Sequence, residues 1–114
     1  MPKSFADDVR NFALALEGSR EEFSFGSDHP VFKAPNGKMF AIASEDAAGT
    51  NVSLKLTPEE CAEALSLPFV RPAPYLARYH WVMSSITNEA ERDMTFTWIR
   101  RSYELVVTKP ARKR

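Results

Sequence analysis

The chain has 114 residues, 44% hydrophobic and 26% charged, with no net charge, which excludes disordered and fibrous classes and suits one globular domain with its own core. No apolar run approaches the roughly 18 residues of a membrane span, and the single cysteine, Cys61, excludes an internal disulfide. The start, Met1-Pro2-Lys3-Ser4 with Asp7, Asp8 and Arg10 close behind, lacks the apolar stretch of a signal peptide, so a cytoplasmic, bacterial protein is expected.

Phe5, Val9, Ala13 and Leu16 recur at helical spacing, with Phe12 and Leu14 widening the stripe. They predict a helix from Phe5 to about Leu16, capped by Ser4, with Asp7 and Asp8 at its positive end and Gly18 as its stop. A short strand is expected over Glu22–Phe25, and a second over Val31–Ala34 behind Pro30. Pro35-Asn36-Gly37 is a turn, since proline presets φ and Asn-Gly tolerates positive φ. Lys38–Ser44 reads as a strand whose nearly continuous apolar run suggests cover on both sides. A polar turn over Glu45–Thr50 follows. Asn51–Leu56 alternates, with Val52, Leu54 and Leu56 inward and Ser53 and Lys55 outward.

Thr57-Pro58-Glu59-Glu60 combines an N-cap, a proline at the first helical position and the glutamate of a capping box. The helix it starts runs to about Ser66, before Pro68. Pro68, Pro72 and Pro74 make a stiff extended segment, and Tyr75–Tyr79 one short helical turn. Trp81–Ile86 is the last strand. Thr87 or Asn88 caps a long helix to about Val107, with a stripe of Met94, Trp98, Ile99, Leu105 and Val106 and the small Ser102 in its seam. Short connections favour hairpins over crossovers. The expected architecture is α+β, a single domain over residues 1–114 with one antiparallel sheet, helices packed on one face, and a basic flexible tail from about residue 109.

Several blocks of the chain resemble the MmcQ/YjbR family. They are Phe25-Gly26 with Asp28-His29-Pro30-Val31-Phe32-Lys33, Gly37-Lys38-Met39-Phe40-Ala41, Val52-Ser53-Leu54-Lys55, Arg71 to Tyr79, Trp81-Val82, and Arg101 to Val106. No single block is specific, but their ordered series spans nearly the whole chain. The resemblance implies a CyaY/frataxin-like fold, a curved antiparallel sheet covered by helices, and a double-wing arrangement for which DNA binding has been suggested. It does not imply iron binding. Frataxins use an acidic first helix, and this one offers Asp7 and Asp8 beside Arg10.

The residues favour a binding module over an enzyme. The four glycines stand singly at turns, so there is no phosphate loop, and no nucleophile motif or metal-ligand spacing is visible. No cofactor is expected. His29, between Asp28 and Pro30, reads as organising a turn. Cys61 reads as a buried packing residue, since Glu59 and Glu60 oppose a lowered thiol pKa. Arg100 is placed to pair with Glu104 one turn on.

The candidate binding set is Lys33, Lys38, Lys55, Arg71, Tyr75, Arg78 and Trp81. Lys33, Lys38 and Lys55 lie on strands or beside the Asn36-Gly37 tip, where a wing touches phosphate. Arg71 and Arg78 interleave with Tyr75 and Trp81 as stacking surfaces do. The alternatives are lysines that guard strands against aggregation and aromatics that fill the core. Residues 1–57 hold six basic and eight acidic side chains, a balance of −2, and residues 58–114 hold nine and seven, a balance of +2. Zero net charge predicts weak, salt-sensitive DNA binding. The alternative reading is a small-ligand or protein-partner module in which the arginine–aromatic cluster holds an anionic or planar ligand.

Overall fold

A computed structural model describes residues 4–47 and 49–107, so the expected basic tail lies outside the described residues. Three α-helices and six strands are found among them: α1 (Ala6–Ala15), β1 (Arg20–Glu22), β2 (Val31–Lys33), β3 (Met39–Asp46), β4 (Gly49–Lys55), α2 (Pro58–Leu65), β5 (Val70–Pro72), β6 (Trp81–Ile86) and α3 (Glu89–Val107). The strands form one antiparallel sheet in the order β1-β2-β3-β4-β6-β5. No described helix is long and apolar enough to cross a membrane.

The helices cover one face. Val52 and Leu54 of β4, with Val82 and Ile86 of β6, meet Phe5, Val9 and Ala13 of α1 and Ile99 and Val106 of α3 in a single core. The alternation read in β4 is present, yet Asn51 and Ser53 on its other face are also buried. β5 was not among the expected strands. It is an edge strand of three residues, a setting in a sheet that tolerates Pro72. β1 is formed by Arg20–Glu22, three residues earlier than Phe25 would require, because Glu22 pairs with Val31 and leaves Phe23 and Phe25 in the following loop.

The continuous apolar run of β3 has a different origin from the two-sided cover expected. Lys33 pairs with Met39 but Phe32 pairs with Ala41, so Phe40 is an extra, bulged residue. A bulge rotates the chain locally, and Phe40 and Ala41 both enter the core while Ile42 faces the helix-free side, half-buried. Phe40 meets Tyr103 of α3 edge-on, with ring centroids 5.3 Å apart.

Helix ends follow the sequence in two cases of three. Thr57 Oγ1 accepts from the Glu60 N–H at 3.2 Å and Glu60 Oε1 accepts from the Thr57 N–H at 3.1 Å, a complete capping box. Asn88 Oδ1 accepts from the Glu91 N–H at 2.9 Å at the start of α3. For α1 the N-cap position is Phe5, and the Ser4 hydroxyl instead accepts from the Ala6 N–H at 3.2 Å while bonding the Glu45 carboxylate.

The stripe of α3 is also corrected. Its buried positions are Thr95, Ile99, Ser102 and Val106, whereas Met94 is 41% exposed. Two polar residues occupy this seam because each finds partners. Thr95 Oγ1 lies 2.7 Å from Ser84 Oγ and donates to the Glu91 carbonyl at 2.7 Å. Ser102 bonds β3 and β4. Arg101, rather than Arg100, reaches Glu104 at 3.8 Å and binds Glu60 at 2.9 Å, while Arg100 lies over the Phe12 ring.

Burial pushes the Glu60 carboxyl up, but the Thr57 backbone N–H, the Arg101 guanidinium and the Thr57 hydroxyl outweigh it and hold the pKa below its usual 4.5. A depressed carboxylate stabilises the fold above its unfolded pKa, and that contribution is lost as pH falls through the folded value. Glu60→Gln is therefore expected to be less stable than the parent at pH 7, with the gap closing as pH drops below about 4.5. Urea unfolding of both proteins at pH 7 and pH 3 measures this, and a gap of unchanged size at pH 3 contradicts it.

Candidate functional site

The register gathers the basic residues of the sequence at one end of the sheet. Lys33 closes β2, Lys38 precedes β3, Lys55 closes β4, and Arg78 lies in a short 3-10 turn, Ala77–Tyr79, that leads into β6. In an antiparallel sheet these are all the same end, although the residues span 45 positions of chain. Arg20, which opens β1 opposite Lys33, joins them.

These cations are not equivalent. Lys33 Nζ lies 2.8 Å from Glu22 Oε1 and Arg20 Nε 2.8 Å from Glu22 Oε2. Hydrogen bonds from Lys33 and then Arg20 hold the Glu22 carboxyl below its ordinary value, so one carboxylate offsets both. Lys38, Lys55 and Arg78 make no ion pair among the described residues. Lys55 Nζ donates to the Tyr79 carbonyl at 3.2 Å, and Arg78 donates to the Tyr79 hydroxyl at 2.8 Å with its guanidinium 4.9 Å from that ring's centroid.

The last helix ends at the same place. Asn36 Nδ2, at the tip between β2 and β3, donates to the Val106 carbonyl at 2.9 Å. The end of α3 thus lies against the tip that leads into Lys38. A sequence reading could place each basic residue on an element but not the elements side by side.

Arg71, Tyr75 and Trp81 are not part of this end cluster in the same way. Trp81 is 6% exposed and so fills the fold, while Tyr75 is 98% exposed. Arg71 and Tyr75 line a groove of about 530 Å³ on the helix-free face, with Phe25, His29, Ile42, Ser44, Asp46, Asn51, Ser53, Pro74, Leu76 and Met83. The predicted set is split between two places, with Lys33, Lys38, Lys55 and Arg78 at one and Arg71 and Tyr75 at the other. Phe25 and Asn51 are groove residues that the sequence reading passed over, because neither neighbours the cluster in the chain.

The remaining candidates are quiet. The His29 N–H donates to the Gly26 carbonyl at 3.1 Å, a turn contact, and its side chain borders the groove. Cys61 is buried, its thiol donates to the His80 carbonyl at 3.2 Å, and burial pushes its pKa up, so it is not a poised nucleophile. No group of three or more metal-binding side chains occurs among the described residues.

A family model described as YjbR matches residues 14–105. The chain belongs to the YjbR family. Protein DR2400 of Deinococcus radiodurans, whose crystal structure is described as holding a DUF419 domain, is similar at 28% identity, with a TM-score of 0.81 over 99% of this chain and 86% of that one. A Pseudomonas syringae protein shares the fold at 18% identity, with a TM-score of 0.70 over 87% of this YjbR-family chain and 96% of its own. No curated protein matches.

Proposed function

We propose that this YjbR-family protein is a DNA-binding module that contacts phosphates through the basic end of its sheet. The observation that carries the reading is the convergence of Lys38, Lys55 and Arg78 at one end of the sheet, beside the end of α3. Phosphate contact by lysine and arginine positions a protein on a duplex without reading sequence. A chain with no net charge relies on this local concentration. The expected affinity is that of non-specific binding, on the order of 10⁻⁴–10⁻⁶ M at physiological salt.

Fluorescence anisotropy of labelled duplex DNA, at low and at physiological salt, tests the reading. Binding is expected to weaken as salt rises, with a slope that counts the phosphates neutralised. The pair Lys38→Glu and Arg78→Glu is expected to weaken binding roughly tenfold or more and to flatten the salt slope by about two contacts. Lys33→Glu is expected to do less, because Glu22 already offsets Lys33. Unaltered affinity in the Lys38/Arg78 double variant means that this end is not the contact surface, and no binding at low salt removes DNA as the partner.

A further inference from the structure

The groove on the helix-free face is a site separate from the basic end. Its floor is two rows of side chains laid across the strands. Ile42, Ser53, Met83 and Arg71 are successive partners from β3 through β4 and β6 to β5, and Ser44, Asn51 and Ser85 form the next row. Strands are spaced about 4.8 Å apart, so the first row runs roughly 14 Å from Ile42 to Arg71. The rims come from two loops at opposite edges of the sheet. Phe25 and His29 belong to the connection between β1 and β2, and Pro74, Tyr75 and Leu76 to that between β5 and β6.

Three features point to a ligand. Tyr75 has φ of 66°, a left-handed backbone that a bulky residue adopts only at a cost, and its ring is nevertheless almost wholly in solvent. The turn Ala73-Pro74-Tyr75-Leu76, closed by the Leu76 N–H to the Ala73 carbonyl at 3.2 Å, sets this φ and holds the ring out at the rim of the groove. The Ser44 and Ser53 hydroxyls on the floor have no protein partner among the described residues, so they are open to a bound molecule.

The third feature is Arg71. It makes no ion pair among the described residues, yet it is held in place. Its Nη1 donates to Ser85 Oγ at 2.8 Å, Ser85 Oγ donates to Asn51 Oδ1 at 2.7 Å, and Asn51 Nδ2 donates to Asp46 Oδ2 at 3.1 Å. The Asp46 carboxylate accepts only, so it turns the Asn51 amide nitrogen toward itself and the amide oxygen toward Ser85. The Ser85 proton is thereby committed to Asn51, and a lone pair is left for Arg71. The guanidinium keeps N–H groups for an anion.

We propose that this groove binds a small ring-bearing monoanion, an aryl carboxylate whose charge sits on Arg71 and whose ring lies along the Met83–Ile42 floor toward Phe25. One arginine with Asp46 along the same groove matches a single negative charge and disfavours a dianionic phosphate. Arg71 is the anion-binding residue. Ser85 and Asn51 are positioning residues that set its orientation. This site stands independently of the DNA reading, since none of Lys38, Lys55 and Arg78 lines the groove.

The test uses the whole chain with aryl alkanoates from phenylacetate to indole-3-butyrate, the primary amides of the same acids, and adenosine 5′-monophosphate. Thermal shift and titration calorimetry are the readouts. The acids are expected to raise the melting temperature with concentration, as mass action requires, and to bind at least tenfold tighter than their amides and than the nucleotide. Arg71→Gln is expected to abolish the preference for acid over amide. Ser85→Ala is expected to reduce that preference several-fold while leaving amide binding unchanged, with rescue by Ser85→Thr. No stabilisation by any of the acids overturns the proposal, as do equal binding of acids and amides, tighter binding of the nucleotide, or a preference that survives Arg71→Gln.

Discussion

Replacing Ser102 with alanine is expected to lower the stability of the domain by about 2–4 kcal/mol, the cost of stranding two buried backbone groups. Ser102 is fully buried. Its hydroxyl donates to the Phe40 carbonyl at 2.7 Å and accepts from the Lys55 N–H at 2.9 Å. Those two groups belong to β3 and β4, beside the position where Phe40 bulges out of register with β2. The last direct pair of this ladder is Ala41 with Leu54, and the helix hydroxyl takes up the next carbonyl and N–H. Alanine removes both bonds and leaves no room to be gained by collapse, since the lost atom is small. Thr97→Ala on the exposed side of the same helix is the control, expected to change stability by no more than about 0.5 kcal/mol. Urea unfolding of the three proteins decides the matter, and a Ser102→Ala cost near that of Thr97→Ala would show that water or a local shift satisfies the strand groups.

Gly49→Ala is expected to cost about as much, roughly 2–4 kcal/mol, from backbone strain and a steric clash together. Gly49 has φ of +144°, which side-chain-bearing residues rarely adopt, and an added Cβ would sit 2.5 Å from the Ile86 carbonyl oxygen and 3.3 Å from Thr87 Cγ2. The oxygen is backbone at the end of β6, the strand paired with β4, so relief requires the sheet itself to move. Gly26→Ala separates the two causes. Gly26 also has positive φ, +108°, but nothing lies within 4 Å of its would-be Cβ. It is expected to show the strain alone, about 1 kcal/mol. If Gly49→Ala proves no more costly than Gly26→Ala in denaturant unfolding, the close approach of β4 and β6 at this point is not the constraint.

Both predictions concern places where a neighbouring element constrains a strand end, α3 at Ser102 and the end of β6 at Gly49. The candidate surfaces depend on that sheet in different ways. The basic end needs only that strand ends align, and it tolerates small shifts because charge acts over distance. The groove needs the Ser85–Asn51–Asp46 chain to stay in register, because each hydrogen bond orients the next.

Local chemistry in the chain determined a good deal of this protein. The capping box at Thr57-Pro58-Glu59-Glu60, the turn at Pro35-Asn36-Gly37 and the alternation of Val52, Leu54 and Leu56 all depend on neighbours within a few residues, and a linear reading sees such neighbours. Tertiary structure decided the rest. β5 is too short to show a period, and it exists because β6 offers it an edge. The apolar run of β3 arises from a bulge that only pairing with β2 reveals. Ser102 and Thr95 look like weak points of an apolar stripe until their strand partners are in place. Tyr75 and Trp81 share an aromatic character in the sequence and separate completely in space, one in solvent and one in the fold. Lys33, Lys38, Lys55 and Arg78 become one end of a sheet, and Arg71 leaves them for the groove, because antiparallel pairing brings residues far apart in the chain to adjacent strand ends, a relation that no local pattern encodes.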